Sequence, residues 1–178
     1  MSRFRRSAFG TTFFFTIISH RRRPILCDAS IRLALRNAIQ TVRAQRPFTI
    51  NAWVLLPDHL HCVWTLPTDD VNYSTRWSLI KHQVSHQCRA LYEDTAVTSS
   101  RRKHGDAAIW QRRFWEHTIR SDIDMERHVD YIHFNPVKHG YAAHASQWPY
   151  STFGRYVREG TYPEDWGGAE YLRNLDYE

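Results

Sequence analysis

The sequence predicts an α+β fold, an antiparallel sheet of ferredoxin or RRM type with helices packed on one side. Three observations point there. Strand-length apolar runs and helix-length amphipathic runs follow one another in the order β, α, β, β, α, β, α. Residues 48–56 and 59–66 are separated only by Pro57-Asp58, a spacing that permits a hairpin and forbids a crossover helix. With 178 residues, 42% hydrophobic and 14% aromatic, the chain is long and apolar enough to bury one proper core.

The elements follow in order. Residues 11–19 read as a strand, because the apolar stretch within them is strand-sized and far short of the roughly 18 residues of a membrane span. No membrane association is expected. A basic start followed by so short an apolar run, without a small-residue cleavage site, does not read as a signal peptide. Residues 29–46 form an amphipathic helix that stops at Pro47, 48–56 and 59–66 the hairpin, 74–92 a second helix, and 115–120 a fourth strand.

The last helix is predicted over 121–140. It opens with Ser121, Asp122 and Asp124, which favour a helix start, and closes with Lys138, His139 and Gly140, which favour an end. Met125, Val129 and Ile132 form an apolar stripe, and His128, Tyr131, Asn135 and His139 a second stripe beside it. Tyr131 and Asn135 therefore rise from one helix face. Pro136 predicts a kink or loosening near Asn135. One domain over residues 1–158 and an acidic tail over 159–178 complete the plan.

Charge separates along the chain more than the net +6 indicates. Before Asp28 stand Arg3, Arg5, Arg6, Arg21, Arg22 and Arg23 with no acidic residue. Residues 159–178 hold six acids against Arg173 alone, so residues 1–158 carry about +11. A body this basic suits a phosphate backbone. Arg112 and Arg113, with Arg101, Arg102 and Lys103, form a third group around the loop 95–108, and the aromatics interleaved with these clusters can stack unpaired bases. The tail, with acids that mimic phosphates and rings that mimic bases, reads either as a brake docked on the DNA groove or as a solvated terminus. Cys27, Cys62 and Cys88, without Cys-x-x-Cys spacing, read as reduced packing residues of a cytosolic protein.

The stretch with the most chemistry is Leu56-Pro57-Asp58-His59-Leu60-His61-Cys62. Alternation in a strand puts His59 and His61 on one face, side by side, and Leu60 and Cys62 on the other. Two imidazoles make a bidentate clamp that needs a third ligand from elsewhere. Asp58 reads as a turn residue, and His117, in the strand WEHTIR, is a candidate active-site residue facing metal or phosphate. His128 and His139 read as DNA-facing, and Lys138 as a phosphate contact.

These segments carry a family resemblance. NAWVLLPDHLHCVWTLP at 51–67, WQRRFWEHTIR at 110–120, HVDYIHFNPVKHG at 128–140 and WPYSTF at 148–153 together resemble the REP-associated tyrosine transposases of the single-tyrosine HUH superfamily, over about residues 3–166. The resemblance implies the HUH endonuclease fold and a metal-dependent single-strand DNA endonuclease and strand transferase acting on repetitive extragenic palindromic (REP) hairpins. Tyr131 is then the nucleophile that forms a 5′-phosphotyrosine, and His59, His61 and Asn135 hold Mg2+ or Mn2+. Insertion-sequence relatives commonly place a glutamine where this chain has Asn135. The arginine clusters and Lys138 are the expected DNA contacts, a monomer is favoured over a dimer, and the expected location is cytoplasmic and nucleoid-associated. Two alternatives remain at this stage: a catalytically inactive REP-binding or architectural protein, and a hydrolase whose histidines activate water with Tyr131 as a bystander.

Overall fold

A computed structural model describes residues 10–92 and 109–168. Strands β1 Thr12–Ile18, β2 Thr49–Leu55, β3 His59–Thr65 and β4 Trp115–Thr118 form one antiparallel sheet in the order β2-β3-β1-β4. Each connection by a helix skips one strand, which is the doubled split βαβ of ferredoxin-like folds. Helix α1 Ala29–Gln45 links β1 to β2, and α2 Tyr73–Gln87 with the short α3 Arg89–Tyr92 lies between β3 and β4. The helix expected over 74–92 is thus interrupted at Cys88, whose φ of −100° and ψ of 7° leave the helical path.

Alternation along the strands sorts the core into two layers. Phe13, Phe15 and Ile17 of β1, with Leu60, Cys62 and Trp64 of β3, pack beneath α1 and α2. Trp64 stacks on Trp77 of α2 with ring centroids 4.2 Å apart, and each such fully buried side chain is worth about 1.5–3 kcal/mol. Phe14 and Val63 point to the other face, together with Val54 of β2. There they meet Met125, Val129 and Ile132 of helix α4 Asp122–Lys138, the apolar stripe expected of it. The α1–α2 pair is the helical layer of the expected plan; α4 takes the opposite side of the sheet.

Both ends of α4 follow from sequence. The Ser121 hydroxyl accepts the Asp124 N–H at 3.1 Å, and Asp122 and Asp124 in the first turn complement the helix dipole. Gly140, at φ +72°, donates its N–H to the Val137 carbonyl while Tyr141 donates to that of Pro136, a Schellman closure that needs a residue tolerant of left-handed backbone. The helix does not break at Pro136 and continues to Lys138. So near the end, proline costs only the bond to one earlier carbonyl.

Residues 148–152 cover the open edge of β2. Trp148 Nε1 donates to the Leu55 carbonyl at 2.9 Å, the Leu55 N–H to Tyr150 at 2.8 Å, and the Thr152 N–H to Trp53 at 2.9 Å. Helix α5 Phe153–Arg158 follows, an element not anticipated, and its Tyr156 hydroxyl reaches the Asn51 carbonyl exposed by a register shift in β2. Beyond it, Tyr162 and Trp166 are buried in the second core and the Tyr162 hydroxyl donates to Asp130, so the packed body runs past residue 158. The rest of the expected tail lies outside the described residues. Among the described residues no helix is long and apolar enough to cross a membrane.

Candidate active site

His59 and His61 stand on the α4 face of β3, their rings 4.8 Å apart and both buried. The register sets Ile18 opposite His59 and Thr16 opposite His61. Thr16 Oγ1 lies 2.9 Å from His61 Nδ1, and Asp58 Oδ1 lies 2.6 Å from His59 Nδ1. With both Nδ1 atoms engaged, the two Nε2 atoms are the ones left to bind. His61 Nε2 is buried with no hydrogen-bond partner, and so are both the oxygen and the nitrogen of the Asn135 amide. Buried polar atoms are nearly always paired, so the two orphaned acceptors, His61 Nε2 and the Asn135 amide oxygen, fit a bound cation, whereas the amide nitrogen is a donor and would not ligate it.

Electrostatics act in the same sense. Burial, followed by the charges of His59, His139, Lys138 and Arg22, pushes His61 well below the usual imidazole range and keeps its lone pair free of a proton. For Asp58, burial works upward, but the hydrogen bond and charge of His59 and then those of Arg22 outweigh it and hold the carboxyl low. Asp58 therefore does more than make the turn expected of it: it fixes the ring of His59 from behind. Arg22 Nη1 meets the other Asp58 oxygen at 3.0 Å while its side chain stays exposed. It is carried by a tight turn in which Arg21 and Arg22 have φ of 55° and 52°, the left-handed strain often found beside functional sites.

Tyr131 approaches from α4. Its half-buried ring meets His61 at 5.1 Å and Phe14 at 6.1 Å, both edge-on, and Lys138 Nζ lies 5.2 Å from the ring centroid. Asn135 follows one turn later on the same face. His139, a turn further and exposed, brings its ring to 5.2 Å from His59 and so borders this site. A cleft of about 470 Å³ opens beside Tyr131, lined also by Thr16, Arg127 and His128.

The structure does not bring His117 to the histidine pair. On β4 it sits opposite Phe14, and β1 separates it from β3. Its Nε2 lies 3.0 Å from Asp124 Oδ2, and His128 Nδ1 lies 3.0 Å from Asp124 Oδ1. Arg112 and Arg113 are exposed and Arg23 half-buried, whereas Arg3, Arg5 and Arg6 lie outside the described residues. Thr16 had no signal as a site residue in the sequence, whereas His139 shared the helical stripe of Tyr131 and Asn135. Thr16 joins through a pairing 45 residues distant, and His139 through the direction in which α4 crosses the sheet.

The family described as IS200-like transposases matches residues 7–135. A REP-associated tyrosine transposase of Escherichia coli (strain K12) is 47% identical over 169 residues, covering 94% of this chain and 92% of the relative. A putative REP-associated tyrosine transposase of Haemophilus influenzae (strain ATCC 51907 / DSM 11121 / KW20 / Rd) is 42% identical over 174 residues, covering 97% of each. A solved structure of a REP-associated tyrosine transposase bound to a REP hairpin superposes with a TM-score of 0.77 at 45% identity, covering 100% of this chain and 96% of that one.

Proposed function

The chain belongs to the REP-associated tyrosine transposases, within the IS200-like transposase family, and from that premise we propose that it is a metal-dependent single-strand DNA endonuclease and strand transferase acting on REP hairpin DNA through a 5′-phosphotyrosine. The observation that carries this reading is the pair of unpartnered buried acceptors, His61 Nε2 and the Asn135 amide oxygen, with the Tyr131 ring 5.1 Å from that of His61. With His59 Nε2 they would hold Mg2+ or Mn2+, which supplies Lewis-acid polarisation of a scissile phosphate.

The chain's own residues do the rest. Tyr131 Oη forms a bond to phosphorus as the bond to the 3′ oxygen breaks; the phenol gives up its proton and the departing oxygen takes one up as a free 3′-OH. The phosphodiester energy is kept in the tyrosine ester, so rejoining needs no nucleotide. Lys138, over the Tyr131 ring, and Arg22, at the mouth, offer positive charge to the phosphate and to the oxygen that develops charge. Thr16 and Asp58 hold the imidazoles in place. Arg3, Arg5, Arg6, Arg21, Arg23, Arg112 and Arg113 extend this charge as backbone contacts to single-stranded flanks.

End-labelled REP hairpin DNA, incubated with Mg2+ or Mn2+ and run on a denaturing gel, tests the reading. Wild type should shift label into a protein–DNA adduct on the 5′ side of a nick, and Tyr131→Phe should lose adduct and nick while retaining hairpin affinity. Hairpin binding without any nick would leave a DNA-binding protein without catalysis, and a nick bearing a free 5′-phosphate would replace Tyr131 by water.

A further inference from the structure

We propose that His117, Asp124 and His128 form a second divalent-cation site, of Zn2+ type, that clamps the first turn of α4 to β4. Asp124 Oδ1 lies between the two imidazoles, 3.2 Å from His117 Nε2 and 3.0 Å from His128 Nδ1, and Oδ2 is 3.0 Å from His117 Nε2. One donor atom from each of the three residues falls in a group within 4.8 Å. Tetrahedral Zn2+, with bonds of about 2.0–2.2 Å, needs its ligand atoms about 3.2–3.6 Å apart, so small ring rotations close the set. The third pair distance is the one that must shrink.

The donors are also of the right chemistry. Two imidazoles and one carboxylate are a zinc set with a fourth position open, whereas Mg2+ prefers oxygens. The carboxyl of Asp124 is held in its charged form: burial works against it, but the His117 hydrogen bond, the Arg120 N–H and the charge of His128 prevail. That N–H, 2.9 Å from Oδ2, fixes the carboxylate from outside as partners of metal ligands usually do. The two rings already stack 4.8 Å apart and 16° from parallel. Binding asks each imidazole to turn a lone pair toward the ion, and His128 Nδ1 to give up its 2.8 Å contact with the Asp124 backbone carbonyl.

This site is distinct from that of His59 and His61. His117 and His61 lie on strands either side of β1, opposite Phe14 and Thr16, which places them about 12 Å apart at the usual strand spacing and rise, and the Phe14 ring contacts both His61 and His128. Two-metal phosphoryl-transfer sites need about 3.5–4 Å, so the ion here clamps rather than reacts. What it would hold is the helix that carries Tyr131, with Asp124, His128 and Tyr131 all lining the one cleft.

The test uses full-length protein with His59→Ala and His61→Ala combined, so that the first site cannot answer. Titrated with Co2+, which reports tetrahedral coordination by visible absorption, this protein should take up one equivalent and gain melting temperature, with Zn2+ displacing the Co2+. Adding His117→Ala, or separately Asp124→Asn, which keeps the side chain's shape at the helix start, should weaken uptake by about 100-fold or more and remove the thermal gain. No Co2+ uptake by the His59→Ala/His61→Ala protein with native circular dichroism overturns the proposal, as does undiminished uptake in the folded Asp124→Asn form. Neither readout depends on DNA cleavage, so the proposal can fail while the nuclease reading stands.

Discussion

Replacing Asp58 by alanine isolates the part of the site that positions a ligand without being one. Its Oδ1 lies 2.6 Å from His59 Nδ1, a charge-assisted contact that holds the proton on Nδ1 and the lone pair on Nε2. Hydrogen bonds to charged groups contribute about 1.5–3 kcal/mol, which at about 1.4 kcal/mol per decade is roughly 10–100-fold in affinity. The same range is found when outer partners of metal-ligating histidines are removed. The concentration of Mn2+ giving half-maximal cleavage should therefore rise by about 10–100-fold in Asp58→Ala, with the rate at saturating Mn2+ close to that of wild type. Asp58→Asn keeps an acceptor and should rise less. Arg22→Ala breaks the 3.0 Å ion pair on the other oxygen and leaves His59 alone, so it separates loss of charge at the mouth from loss of ring orientation. An unchanged Mn2+ dependence in folded Asp58→Ala would show that His59 is not held through Asp58, and would remove the basis for Nε2 as its binding atom.

Two further outcomes concern the second core. His133, buried against Phe153, Tyr156 and Tyr162 and 2.9 Å from Thr152 Oγ1, is pushed down from 6.5 to about 3 by burial and then by Arg155. The folded value lies below the unfolded one, so this contribution to stability is full above pH 6.5 and is lost as pH falls toward 3. Between about pH 7.5 and pH 5 the loss is about 2 kcal/mol, and urea denaturation of His133→Gln should lack that part of the wild-type pH dependence; equal dependence in both proteins refutes it. Truncation after residue 158 should lower the melting temperature sharply relative to truncation after 168, because removing a buried tryptophan such as Trp166 alone costs about 3–5 kcal/mol. The shorter cut also bears on the two readings of the acidic end: faster cleavage by the protein ending at 168 supports a brake, and an unchanged rate supports a solvated terminus over residues 169–178.

Local periodicity made much of this molecule legible. The common face of His59 and His61 follows from a period of two, and the stripes and caps of α4 from a period of 3.6 with Ser121 and Gly140 at its ends. What depends on tertiary pairing was not legible. Tyr162 and Trp166 sit among six acids and read as tail until α5 turns them onto Phe153 and α4. The segment Trp148–Thr152 has no strand pattern of its own and gains its conformation from the unpaired edge of β2. Pro136 read as a kink or loosening near Asn135, and α4 continues through it to Lys138 because few residues remain after it to lose.

The strand that reads as core filler is the one that organises both histidine clusters. In β1, Phe13, Phe15 and Ile17 fill the layer under α1 and α2, and nothing in their alternation distinguishes Phe14 and Thr16 from ordinary partners on the other face. Yet the register puts Thr16 against His61, where its hydroxyl meets Nδ1, and Phe14 against His117, with its ring touching His61, His128 and Tyr131. A slip of one residue would turn Phe13 and Phe15 toward α4 and bury Thr16 under α1 and α2. The spacing between the histidines on β3 and that on β4 is therefore set by the pairing of the strand that lies between them.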